Sequence, residues 1–145
     1  MSKDAENRTG PESTPATRTA GGAVLLWTAV VIWAALIFFF SAQPNLSTSL
    51  GFPDLILRKM AHLTEYGVFF LLLWRALRQH DLPQKGALTA GALLAMAYAA
   101  SDEYHQSFVR GRTASPIDVS IDTVGILIAV LLALLLLRKK PDLLP

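Results

Sequence analysis

Residues 101–122, SDEYHQSFVRGRTASPIDVSID, hold four carboxylates, one histidine and two arginines between stretches rich in Leu, Ala, Ile and Val. A second polar segment, RKMAHLTEYG at 58–67, supplies Lys59, His62, Glu65 and Tyr66. These are the residue types of phosphate chemistry. Arg112 follows the flexible Gly111 and can grip a phosphate with two parallel hydrogen bonds, to which Arg110 and Lys59 add charge. His105 or His62 can serve as general base on water or on an incoming hydroxyl, with nearby carboxylates fixing its tautomer and tuning its pKa. Asp102 and Glu103 are the expected orienters of His105. The same parts suit a phosphoesterase or a head-group transferase. Ser101, Ser107 and Ser115 are conceivable nucleophiles, but no spacing singles one out.

The spacings put these groups on shared helical faces. Lys59, His62 and Tyr66 recur at i, i+3, i+7, and His62 faces Glu65 at i+3. Asp102, His105 and Gln106 fall at i, i+3, i+4. Asp118, Asp122, Gly125 and Ala129 follow i, i+4, i+7, i+11, a stripe that starts acidic and becomes small. Such a stripe lets a helix approach its neighbours closely while presenting polar groups at its outer end.

What must position these faces is a set of apolar helices. With 52% hydrophobic residues and a mean hydropathy of +0.41, the 145-residue chain is too apolar for an ordinary soluble domain. Residues 23–40 carry no charge, 119–137 carry only Asp122, 61–77 are apolar except at their ends, and 86–101 are small and uncharged. A helix of about 20 apolar residues crosses a hydrocarbon core of roughly 30 Å. The pattern therefore predicts an all-α, polytopic membrane bundle of four transmembrane helices over 23–138. Residues 1–22, rich in Ser, Thr, Pro and Gly, read as a disordered cytoplasmic tail, and 139–145 as a short one. The first apolar run is long for a signal peptide, and Phe40 stands where cleavage after Ala42 wants a small residue. It reads as a retained span.

With four spans both termini share one side. That side receives Lys3, Arg8, Arg18, Arg75, Arg78, Lys85, Arg138, Lys139 and Lys140, nine of the 13 Lys and Arg, and the other side the remaining four. The excess belongs in the cytoplasm, which places both termini there and every unusual polar group at the outer face. Cysteine is absent, excluding disulfides and thiolate chemistry. A net charge of +2 without an aromatic-interleaved basic patch excludes a nucleic-acid partner. The expected partners are membrane lipids or prenyl-linked phosphates; the oligomeric state is open.

Plainer roles compete at each position. His62, Glu65 and Tyr66 also suit an interfacial polar belt, and Lys59 can snorkel to the interface. Asp102, Glu103 and His105 can be a loop exit paired with Arg112, and Asp118 and Asp122 can be hydrogen-bonding glue between helices. Ionisable groups at membrane depth are nevertheless rare outside functional sites. Asp102, Glu103, Asp118, Asp122 and His105 offer oxygen-rich ligands for a hard divalent cation, but no paired-His spacing appears and two arginines compete for the carboxylates. No cofactor is expected, with a divalent cation as the alternative. Four short spans without paired broken helices argue against a carrier.

The order RKxAHxxEY, an apolar run, SDExHQxFVxGR and DVxIDTxG resembles the VanZ-like family of small bacterial membrane proteins, over roughly residues 24–137. Two positions depart from its pattern: Arg110 stands where proline is common, and Arg58 where an acidic residue often precedes the lysine. The resemblance implies a four-helix membrane domain and, through the founding member, a link to low-level glycopeptide resistance. More distantly it implies kinship with membrane enzymes that process or exchange lipid head groups. Two functions follow as expectations. One is an enzyme acting on a lipid or lipid-linked phosphate in cell-envelope metabolism. The other is a non-catalytic protein that binds or shields an envelope component.

Overall fold

A computed structural model describes residues 20–44, 52–112 and 114–139, which form four helices and no strand. They are α1 (Ala20–Ser41), α2 (Phe52–Leu77), α3 (Gln84–Gln106) and α4 (Pro116–Lys139). The all-α bundle expected from the sequence is what the chain forms. Residues 1–19 and 140–145, most of the two expected tails, lie outside the described residues. α1 starts at Ala20, three residues before the apolar run.

At 1.5 Å per residue the helices, of 22 to 26 residues, run about 33–39 Å. Two of them, α1 and α4, are both long and apolar enough to cross a membrane. α2 and α3 have the length; Arg58, Lys59 and Glu65 of α2 and Asp102 and Glu103 of α3 lie toward one end of the bundle, Arg75 and Lys85 at the other. α3 continues past the apolar run of 86–101 through Asp102–Gln106, and α4 begins at Pro116. Nothing in 102–106 breaks a helix, and Asp102, Glu103 and Gln106 find hydrogen-bond partners within the bundle. Gly111, with φ 83°, turns the chain back toward α4 in a conformation that residues bearing a Cβ rarely adopt.

α2 is the central helix. Its large residues Tyr66, Phe69, Phe70, Leu73 and Trp74 are buried against small ones, Ala87, Ala95 and Ala99 of α3 and Ala129 and Ala133 of α4. Large on one helix against small on the next is how backbones approach closely without a void. The closest approach is at Gly125 of α4. A Cβ built there would overlap the carbonyl oxygen of Leu63 on α2, and one built on Gly67 would lie 3.2 Å from the Gly125 oxygen.

α1 is apolar on every side and packs chiefly on α2. Side-chain donors pin it. Trp33 Nε1 donates to the Glu65 carbonyl (3.0 Å), Tyr98 Oη to the Ala34 carbonyl (2.8 Å) and Trp27 Nε1 to His80 Nε2 (2.9 Å). The outward faces of α1 and α4 expose Val24, Leu25, Val31, Leu131 and Leu136, each more than half accessible. An apolar face of that extent suits lipid rather than water.

Candidate functional site

α4 begins with the features of a well-capped helix. Pro116 occupies its first turn and the Ile117 N–H donates to Ser115 Oγ at 3.2 Å. The carboxylate that completes the cap comes from α3: Glu103 Oε1 accepts the Ser115 N–H at 2.6 Å. Glu103 thus fixes where α4 starts. Beside it Lys59 Nζ donates to Asp118 Oδ1 at 2.6 Å, tying α2 to α4. Both side chains are over a third exposed (36% and 37%), so this pair contributes under about 1 kcal/mol.

Deeper lies a hydrogen-bond chain that crosses the bundle. Tyr66 Oη donates to Asp102 Oδ2 at 3.0 Å, and Gln106 Nε2 donates to the same oxygen at 3.0 Å. Gln106 Oε1 accepts from Arg112 Nη1 at 2.8 Å. Arg112 also donates through Nη2 to the Phe40 carbonyl (3.2 Å) and through Nε to the Gln43 carbonyl (3.3 Å). A helix C-terminus leaves carbonyls without intrahelical donors and carries partial negative charge, so a guanidinium suits the end of α1. One chain therefore links α2, α3, the α3–α4 turn and α1. Tyr66→Phe removes a donor from a buried carboxylate and is expected to lower stability by about 1–3 kcal/mol. Thermal unfolding of the detergent-solubilised protein reads this, and an unchanged midpoint would show that the bond contributes nothing.

In front of this chain, between the end of α1 and α2, lies a cleft of about 140 Å³. Arg58, His62 and Glu65 line it from α2, Ser41 from α1 and Arg112 from the turn. Ile37, Phe40 and Ala61 supply its apolar wall. The Ser41 hydroxyl is buried, 3% exposed, and has no hydrogen-bond partner among the described residues. At the rear, His62 Nδ1 stands 3.6 Å from Asp122 Oδ1, whose side chain is only 3% exposed. Neither atom has a hydrogen bond among the described residues. The gap is just beyond a direct bond, a spacing that catalytic pairs often show before substrate binds.

The arrangement sorts the residues singled out in the sequence. His62, Glu65 and Arg112 meet at the cleft, with Asp122 behind His62. Tyr66, Asp102 and Gln106 form the supporting chain. Lys59, Asp118 and Glu103 hold the mouth of α4. Arg110 is exposed on the turn and does not line the cleft. His105 is placed differently from expectation. Its ring packs on Phe38 of α1 with centroids 4.3 Å apart, and its Nδ1 is buried without a partner among the described residues. Asp102 and Glu103, the expected orienters, give their bonds to Tyr66, Gln106 and Ser115 instead.

Two cleft residues escaped the sequence reading of the site. Arg58 stands one turn before His62 on the same face, a spacing that marks it once His62 is chosen. Ser41 ends an apolar run and carries no such signal. Among the described residues no group of three or more His, Cys, Asp or Glu is placed to hold a metal ion.

The VanZ/LLP1 family model matches residues 26–137, which include part of every helix and the whole cleft. No curated protein and no solved structure matches the chain. With two helices apolar enough to cross a bilayer and a family match over most of its length, this chain is a membrane protein belonging to the VanZ/LLP1 family.

Proposed function

We propose that the chain crosses the bacterial cytoplasmic membrane four times, both termini inside, and acts at its outer face on the phosphorylated head group of a lipid or lipid-linked phosphate. α2 and α3 cross beside α1 and α4, their polar faces turned to the bundle interior as the cost of exposing ionisable groups to hydrocarbon requires. The single observation that carries the reading is the cleft: two guanidinium groups, a histidine and a buried hydroxyl with no partner among the described residues, all on one small cavity wall. Arg58 and Arg112 match an anionic phosphate, and the Ser41 hydroxyl has an occupant of the cleft as its partner.

His62 is the base in this reading. Its Nδ1 faces Asp122, which leaves Nε2 for the cleft that the ring lines. Water gives a proton to Nε2 as its oxygen attacks phosphorus. The phosphorus–oxygen bond to the leaving group breaks, and the leaving oxygen takes a proton back from His62. With a hydroxyl-bearing acceptor in place of water, the same steps transfer the head group. The guanidinium groups meet the charge that develops on the phosphoryl oxygens. A role in glycopeptide resistance, if the chain has one, would follow from altered envelope lipids.

The test is a mass-spectrometric profile of lipids and prenyl phosphates. It compares cells lacking the protein, cells expressing it, and cells expressing His62→Ala or His105→Ala at equal levels. The expected result is a species that changes with the wild type and not with His62→Ala. A loss confined to His105→Ala would move the base to α3. Identical profiles in all cells, with folded protein present, would favour binding or shielding over catalysis.

A further inference from the structure

Glu65 is the odd member of the cleft. Arg58, Arg112 and Ser41 can all donate to a phosphate, whereas an ionised carboxylate only accepts. A phosphodiester also presents nothing but acceptors on its phosphoryl group. Placing it against Glu65 would set oxygen against oxygen inside a half-enclosed cavity, where an unsatisfied contact costs about 1–3 kcal/mol. A phosphate monoester differs in one respect. Its second ionisation lies near pH 6, so, unlike a diester, it has an oxygen that can carry a proton for Glu65 to accept.

The surroundings of the cleft suit a chain on that phosphate. The mouth opens between α1 and α2, where Phe40 and Ala61 are exposed on the surface that faces hydrocarbon in the four-span reading. A chain attached to the phosphate can lie along that surface while the phosphate enters sideways.

We infer that the cleft selects a phosphate monoester, the terminal phosphate of a membrane-anchored chain, and that Glu65 enforces the choice by accepting its P–O–H. The inference rests on the proposed phosphate site and names its substrate class. Phosphatidic acid and the prenyl monophosphates both end in such a group, so the shared chemistry is the monoester, and free inorganic phosphate offers the same contacts without the chain.

Titration calorimetry on the full chain in detergent tests this with five probes. They are a short-chain phosphatidic acid, the methyl ester of its phosphate, the matching phosphatidylethanolamine, farnesyl monophosphate and inorganic phosphate. The two chain-bearing monoesters are expected to bind at least about tenfold more tightly than the methyl ester, which exposes Glu65 to an acceptor. Inorganic phosphate is expected to bind more weakly than either and to compete with both; equal binding would mean that the chain plays no part. In Glu65→Gln the amide can donate, so the methyl ester gains and the ratio falls to about threefold or less. Equal binding of ester and monoester by the wild type would overturn the inference, whether or not the variant folds. So would an unchanged ratio in a folded Glu65→Gln, or tightest binding of the ethanolamine lipid, which would make Glu65 a reader of ammonium. Failure of all five probes to bind would instead remove the phosphate site on which the inference rests.

Discussion

Gly125→Val is expected to abolish most of the folded protein. The first added carbon would overlap a backbone carbonyl, that of Leu63, so no side-chain rotation can relieve it. Overpacking a core costs about 1–3 kcal/mol where flexible side chains give way, and more where they cannot. Here α2 and α4 must separate along the seam that also carries Gly67, Ala129 and the His62–Asp122 pair. Gly21→Val is the control, since a Cβ at Gly21 has nothing within 4 Å. Fluorescence-detected size-exclusion profiles and melting curves in detergent check the contrast. The expected result is a monodisperse Gly21→Val beside an aggregated or strongly destabilised Gly125→Val. Equal behaviour of the two would mean that α2 and α4 do not cross at Gly125.

The residues show why some of this was legible in the sequence and some was not. Helical periodicity fixes which residues share a face of one helix, so the acidic-to-small stripe of α4 read correctly: Asp122, Gly125 and Ala129 are all buried. The grouping of His62 with Glu65 read correctly for the same reason. Periodicity says nothing about how far each helix is rotated against its neighbours. His105 shares a face with Asp102 by count, yet its ring rests on Phe38 of α1, while the carboxylate is turned to Tyr66 of α2. The same ambiguity hid the pairing of His62 with Asp122, which are separated by most of α2, all of α3 and a turn. Bonds to backbone are the least legible of all. Arg112 reaching the carbonyls of Phe40 and Gln43, and Glu103 accepting from Ser115, depend on where helices end.

The polar groups thus divide by what they touch. Glu103, Lys59 and Asp118 are occupied with one another and with the cap of α4, and Tyr66, Asp102 and Gln106 with the chain that leads to Arg112. Asp122 differs. It is buried at 2% exposure, two turns into an apolar helix, and its Oδ1 has no hydrogen bond among the described residues. A structural carboxylate would be expected to have its partners in place, because a buried charge without them costs several kcal/mol. A carboxylate whose buried Oδ1 faces His62 without a bond among the described residues has a different use.

Asp122→Asn separates the two roles with little change of shape. If Asp122 positions His62, the substitution keeps the shape of the side chain and leaves the fold at least as stable. Its effect falls on the imidazole. The carboxylate accepts only, so it favours the tautomer with the proton on Nδ1 and leaves Nε2 free to take a proton from water or an acceptor hydroxyl. An asparagine can turn its amide to Nδ1 and donate, which favours the proton on Nε2 and blocks that nitrogen as a base. Losing the base in this way is expected to lower kcat by about 10²–10⁴ with KM little changed, since Arg58, Arg112 and Ser41, the proposed phosphate ligands, still line the cleft. The measurement pairs turnover of a short-chain lipid phosphate by purified protein with its melting temperature. A variant that melts like the wild type and has lost kcat would identify Asp122 as the positioning residue of His62. A fall in melting temperature that accounts for the lost activity would make Asp122 structural glue between α2 and α4, and His62 would then have to act without it.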